Sequence, residues 1–143
     1  MSITKRAIVD LAFSELGMGK YNYDLQPEDV QLGVEKLDDL MAEWDGYGIQ
    51  TGYPLNTVSN AQTVDDPINL ILQLKGGVAS ALAVALAPDY GKTPSPQTVM
   101  NATKGKKNGL RLSSSPPHKR INNTMTPAGA GYNRTNCPRN LND

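Results

Sequence analysis

Apolar residues recur three or four positions apart in four stretches of the chain, which is the spacing of amphipathic helices. The first helix is predicted over residues 4–17, with Thr4 as its N-cap and Gly17 just beyond its end. A second is predicted over 27–45, because Pro27 suits a first helical turn. The third and fourth are predicted over 67–87 and from 95 to about 107, and all four would pack as a small helical bundle.

The same periodicity predicts which side chains form the core. We expect the second and third helices to contribute the largest buried residues, which are Trp44, Leu37, Ile71 and Leu82. Asp66 is the expected N-cap of the third helix. The fourth helix should turn Val99, Met100 and Thr103 inward.

Residues 47–66 lack a helical period and contain Gly52 and Pro54, which predicts an extended loop or a two-stranded arm. Twenty residues is long for a structureless connection, so this loop is expected to project and to have a function. Its candidate residues for contact with a partner protein or a neighbouring subunit are Tyr47, Ile49, Tyr53 and Leu55.

The helical pattern ends near Gly109, and the remaining residues are rich in Pro, Gly, Ser and Asn. The chain therefore divides into a predicted body, 1–108, and a long extended C-terminal arm, 109–143. The predicted fold class is mainly α, with a projecting loop and this arm attached to an antiparallel helical bundle.

Charge separates the two parts, although the net charge is zero. From Lys106 onward the chain carries seven basic residues and one acidic residue, a net charge of +6, which leaves −6 for the first 105 residues. A basic arm on an acidic body indicates either an anionic partner or docking onto acidic bodies of the same kind.

Candidate catalytic chemistry is sparse. His118 and Cys137 are the single histidine and cysteine, and both fall in the polar arm, so no catalytic, metal or cofactor site is predicted. The most apolar stretch, 68–87, is interrupted by polar residues and is interpreted as a buried helix rather than a membrane span.

Two short motifs mark the chain. Met41-Ala-Glu-Trp44 is followed by Gly48-Ile49 and Gly52-Tyr53, and Leu86-Ala-Pro-Asp-Tyr-Gly91 follows the third helix. In these residues and in the helix pattern around them, the region from about Thr4 to Gly91 resembles the head-completion proteins of short-tailed phages. They are also called tail accessory factors or packaged-DNA stabilisation proteins.

The resemblance implies a structural protein of the virion, at the head–tail junction, assembled in the host cytoplasm. It implies a head-to-tail adaptor that forms a ring of twelve copies on the portal protein, extends the DNA channel and retains packaged DNA until ejection. Downstream tail proteins (a hub or nozzle, a fibre or needle) would attach to it. The expected portal- or neighbour-binding residues of the arm are Arg111, Leu112, Lys119, Arg120, Ile121, Met125, Tyr132, Arg134 and Arg139.

Two alternatives remain open. The basic arm could bind nucleic acid through its phosphates. Some relatives of this kind are credited with cell-wall hydrolysis, and Glu15, Glu43 and Asp45 are candidate carboxylates for a virion-associated peptidoglycan hydrolase. The structural role is preferred, and no enzyme activity is predicted.

Overall fold

The computed structural model describes residues 3–19, 23–55, 63–65 and 67–114, and it is mainly helical, as predicted. The described part contains four α-helices: α1 (Lys5–Glu15), α2 (Pro27–Gly46), α3 (Lys75–Leu86) and α4 (Pro96–Ser113). Strands β1 (Ile3–Thr4) and β2 (Pro67–Ile68) pair in antiparallel orientation, and a 3₁₀ turn over Leu72–Leu74 precedes α3.

Capping residues fix both ends of α1. The Thr4 hydroxyl accepts a hydrogen bond from the Ala7 amide, so the predicted N-cap is confirmed. At the other end, Gly17 adopts a φ of +76° and its amide donates to the Ser14 carbonyl, while the Met18 amide donates to Phe13. This pair of bonds is a Schellman motif, and it turns Met18 into the core.

Helix α2 ends in the same way. Gly48, at a φ of +78°, donates to the Asp45 carbonyl, and the Ile49 amide donates to the Trp44 carbonyl. The chain after the helix is thereby folded back, and Ile49 is buried against the end of α2 rather than carried into solvent. The bounds predicted for α2 are confirmed to within a residue.

The predicted start of the third helix is wrong. Residues 67–71 are extended, because Ile68 pairs with Ile3 and the Ile71 amide donates to the Thr51 carbonyl. A short apolar run is compatible with either a buried strand or a helix, and here the available backbone partners select the strand. The predicted N-cap, Asp66, lies outside the described residues.

Helix α4 begins as predicted, with the Ser95 hydroxyl accepting from the Thr98 amide, but it continues to Ser113 rather than to about Lys107. It passes through Gly109 because that glycine lies against Ile49, where a Cβ would approach to 2.7 Å. The predicted inner face is also wrong. Val99, Met100 and Thr103 are exposed, and the buried positions are Thr98, Gly105 and Gly109.

Small residues hold α4 close to α3. A Cβ added to Gly105 would lie 2.4 Å from the Gly77 Cα, so the two helix backbones touch at this crossing. The core around it includes Leu37, Trp44 and Leu82, all buried as predicted. Ile71, which was also predicted to be in the core, is 37% exposed, because it belongs to the extended segment before α3.

Candidate assembly surfaces

The segment after α2 lies mostly on the body. Ile49 and Tyr53 are buried and Leu55 packs partly against the core, so the prediction that these side chains project is wrong. Tyr47 is the exception, with 58% of its surface exposed. Residues 56–62 and 66, which form the rest of the predicted loop, lie outside the described residues.

A buried polar cluster holds this segment in place. Lys5 has no exposed surface, and its Nζ lies 2.9 Å from Asp38 Oδ1 and 5.3 Å from the centre of the Tyr53 ring. The Tyr53 hydroxyl donates to the same Asp38 oxygen. Burial, together with the Asp38 carboxylate, raises the pKa of Tyr53 above its usual value. The cluster therefore connects α1, α2 and the chain after α2.

The second motif forms an analogous connection at the end of α3. The Tyr90 hydroxyl donates to Asp29 Oδ1 at 2.9 Å, and its ring meets Phe13 edge-on at 5.4 Å. Desolvation and the Asp29 carboxylate raise the pKa of Tyr90. Asp89 is 3.2 Å from Lys36 Nζ. The residues of both sequence motifs thus stabilise the fold of the body through packing and hydrogen bonds.

Charge is segregated by helix. Helix α2 carries seven acidic residues and one basic residue, whereas α4 carries four basic residues and no acidic one. Glu28, Glu35 and Asp39 form an acidic stripe on α2, on the side opposite its buried face. A basic stripe lies on the exposed side of α4 and consists of Lys104, Lys107 and Arg111, with Met100 beside it.

The sequence prediction missed this basic stripe, because it counted the positive charge from Lys106 onward as belonging to the arm. The signal was present in the spacing of Lys104, Lys107 and Arg111, which places them on one helical face. Both Arg111 and Leu112, predicted for the arm, lie in α4 and are exposed. The other predicted arm residues, Lys119, Arg120, Ile121, Met125, Tyr132, Arg134 and Arg139, lie outside the described residues.

An apolar groove of about 380 Å³ runs between α2, α3 and α4. Leu40, Trp44, Val84 and Leu110 contribute to its walls. At its rim Lys106 Nζ lies 4.0 Å from the centre of the Tyr47 ring and 3.5 Å from Glu43 Oε1. The Tyr47 ring therefore contacts Lys106 at this rim, although more than half of the tyrosine surface is exposed.

A second, polar cavity of about 270 Å³ lies beside the Gly77–Gly105 crossing. Glu15 Oε1 accepts a hydrogen bond from the Ser80 hydroxyl at 3.0 Å. Glu15 Oε2 is shielded from solvent, and none of the described residues donates a hydrogen bond to it. Polar side chains complete the walls, and they are Gln73, Asn101, Lys104 and Asn108.

The three carboxylates considered for hydrolysis do not converge on one cavity. Glu43 lines the apolar groove, Glu15 lines the polar cavity, and Asp45 is exposed at the end of α2. Within the described ranges, no group of three or more His, Cys, Asp or Glu could hold a metal ion. His118 and Cys137 lie outside those ranges. None of the helices that the structure describes is long and apolar enough to cross a membrane.

Comparison with known proteins places these surfaces in context. The chain is 29% identical over 102 residues to a protein named peptidoglycan hydrolase gp27, from Acyrthosiphon pisum secondary endosymbiont phage 1. The alignment covers 70% of this chain and 64% of that relative, so the chain spans less than two thirds of the relative's length.

A family-level match covers far more of the chain. The profile of the P22 tail accessory factor family matches residues 1–140 of 143, which takes in the four helices, both motifs and nearly all of the basic C-terminal region. The resemblance drawn from the motifs is confirmed by this match. The protein is therefore a structural tail protein of a phage virion, and the chain belongs to the P22 tail accessory factor family.

Proposed function

We propose that this tail accessory factor is the head-to-tail adaptor of its virion. It docks on the portal ring through its basic C-terminal region, extends the DNA channel, retains the packaged DNA and provides the attachment site for further tail proteins. The observation that carries the proposal is the family match over both the helical body and the basic region that follows it.

Several features of the body support a structural role. Its motif residues are used for packing and capping, as Trp44, Tyr53 and Tyr90 illustrate. Its exposed surface carries charge sorted by sign onto different helices. A small protein with a well-buried core and separated charged faces is suited to fixed contacts in an assembly.

The direct test is to mix the purified chain with purified portal rings and to measure the mass of the complex. We expect a discrete complex with twelve copies of this chain on each portal. Removal of residues 115–143 should abolish the complex and leave the fold of the body unchanged. A portal that gains no mass in the presence of the intact chain would contradict the proposal.

The same preparations separate the adaptor role from nucleic-acid binding by the basic C-terminal region. An adaptor should bind portal rings that contain no DNA, whereas a dedicated DNA-binding protein should shift a DNA duplex in a gel and leave empty portals unbound. Binding that occurs with DNA alone would favour the nucleic-acid role.

Peptidoglycan hydrolysis is a second candidate function, favoured by the name of the relative and by the polar cavity around Glu15. The shielded Glu15 Oε2, with amide side chains nearby, is a reasonable general acid beside a sugar. The test is release of soluble fragments from purified peptidoglycan. Glu15→Gln should remove activity and Glu43→Gln should retain it, because Glu43 is exposed and paired with Lys106. An inactive parent protein would exclude this function.

A further inference from the structure

We infer that the basic stripe on α4 of one subunit docks on the acidic stripe of α2 of a neighbouring copy. The inference rests on the proposed function and deepens it, because it names the surfaces that join adjacent subunits in the ring. The observation behind it is the sorting of charge: seven acidic residues on α2 and four basic residues without an acidic one on α4.

Both stripes are free of intramolecular packing. Each residue of an α-helix advances by about 100°, so residues three, four and seven apart share a face. On α4 this places Met100, Lys107 and Arg111 on the side away from Gly105, which touches α3, with Lys104 at the edge of that exposed side. On α2 it places Glu28, Glu35 and Asp39 opposite Leu37, in the core.

The sorting is unfavourable within each helix. Glu35 and Asp39 are four residues apart, as are Lys107 and Arg111, and like charges at this spacing destabilise a helix. A mixture of acidic and basic residues on each helix would keep the protein equally soluble without this repulsion. An arrangement that is unfavourable in the monomer becomes favourable when the opposite stripe of another copy lies against it.

The spacing of the charges also matches. Lys107 and Arg111 are separated by about 6 Å along the axis of α4, and Glu35 and Asp39 by the same distance along α2. The two pairs can therefore meet whether the helices run parallel or antiparallel. Met100 is 51% exposed and adds an apolar contact to the basic stripe, while Ala42 and Gly46 keep the α2 surface low enough for a close approach.

The contact is heterologous, because it joins two different surfaces of the same chain. Such a contact leaves one α2 stripe and one α4 stripe unsatisfied in any open oligomer, and it forms a closed ring when the rotation between neighbours closes, as docking on a portal ring would impose. A complementary basic-to-acidic contact also fixes the direction in which subunits follow one another, because two basic stripes or two acidic stripes repel.

The test uses charge reversal in full-length protein on purified portal rings. One variant carries Lys107→Glu with Arg111→Glu, and the other carries Glu35→Lys with Asp39→Lys. Each variant alone should lose ring formation, with apparent affinity between subunits weakened on the order of tenfold or more. An equal mixture should recover complexes that contain both variants one to one, because each reversed stripe then faces an opposite charge.

Matched controls change the same number of charges elsewhere on the body. Lys75→Glu with Lys92→Glu, and Asp24→Lys with Asp45→Lys, lie off both stripes and should assemble as the parent does. Circular dichroism of every variant establishes that the helices are retained. Native mass spectrometry of the mixture reads the ratio of the two variants directly, since their masses differ.

Each outcome decides the inference. Recovery in the mixture supports it. Normal assembly of both single variants, or loss that the mixture does not restore, would overturn it. The latter result, combined with loss of duplex DNA binding by the α4 variant alone, would assign the basic stripe to DNA. The parent protein mixed with portal rings tests the proposed function separately. If the parent itself fails to bind, the proposed function is contradicted, whatever the charge-reversed variants do.

Discussion

Lys5 is a lysine with no exposed surface, and it is neutralised by Asp38, which lies on a different helix and is itself mostly buried. The hydroxyl of Tyr53 shares the same carboxylate. Two residues that are far apart in the chain, Lys5 and Tyr53, thus depend on one acidic side chain. A buried ion pair is costly to break, because removal of one partner leaves the other charge in a poorly solvated site.

We expect Asp38→Ala to lower the free energy of unfolding by about 3 kcal/mol, because the carboxylate that pairs with Lys5 and accepts from Tyr53 is lost. Asp39→Ala is the matched control, since Asp39 is exposed on the opposite side of α2, and it should change stability by about 0.5 kcal/mol or less. Urea denaturation of both variants measures the difference. Equal effects of the two substitutions would show that the cluster contributes nothing.

Tyr53 gives the stability a pH dependence in the alkaline range. Its pKa is raised in the folded state by burial and by Asp38, while in the unfolded chain the pKa of a tyrosine is about 10. The stabilisation from the retained proton is therefore complete below about pH 10 and is lost as the pH rises toward the folded-state pKa.

The free energy of unfolding should accordingly fall by up to about 1.4 kcal/mol per pH unit above about pH 10 for this tyrosine. Tyr53→Phe should show a shallower decline, and Tyr47→Phe, at an exposed position, should decline like the parent. Denaturation curves recorded from about pH 9 to about pH 11 provide the comparison. An unchanged slope for Tyr53→Phe would mean that another group governs the alkaline loss.

At the level of the helices, the close approach of α3 and α4 depends on two glycines. Gly77 and Gly105 face each other across the crossing. A methyl group on either one would clash with backbone atoms of the other helix, which cannot move away as a flexible side chain can. This contact positions the whole of α4, including its basic stripe, relative to the rest of the body.

Gly105→Ala should therefore destabilise the protein by about 1 to 3 kcal/mol, because α3 and α4 must separate to accommodate the Cβ. Gly76→Ala is its control: nothing lies within 4 Å of the added Cβ, so the substitution should stabilise α3 by about 0.4 to 1 kcal/mol. Thermal denaturation gives the sign of each change. A stabilising Gly105→Ala would contradict the tight crossing.

For the whole molecule, the structure moves the useful truncation point beyond the predicted start of the arm. Gly109 packs against Ile49, and the Ser113 hydroxyl accepts a hydrogen bond from the Gln50 amide at 2.7 Å. The last turns of α4 are therefore bound to the chain that follows α2. The division of the protein into body and arm stays a prediction, but a deletion that begins at Gly109 removes part of a helix.

We expect removal of residues 115–143 to leave the melting temperature of the body nearly unchanged, whereas removal of 109–143 should lower it. The second deletion removes the packing partner of Ile49 and leaves the Gln50 amide without its acceptor. Each 1 kcal/mol lost should correspond to about 4 to 8 °C in Tm for a body of this size. Equal melting temperatures for the two deletions would contradict the role of the last helical turns.

The sequence by itself determined the helices whose ends are marked by local chemistry. Thr4, Pro27 and Ser95 were identified as starts because capping and φ restriction act within one turn. Trp44 was identified as a core residue because α2 is amphipathic, and Leu82 because α3 is apolar along most of its length. The two motifs identified the family, which the match over residues 1–140 then confirmed.

Only the tertiary structure decided the features that depend on partners distant in the chain. Ile68 lies in a strand because its backbone pairs with that of Ile3. Helix α4 continues through Gly109 because Ile49 occupies the space where a side chain at that position would lie. The face of α4 was mispredicted because its inner side is built from glycines and Thr98, which hydropathy does not register as buried. Close backbone contact, rather than apolar surface, selects that face.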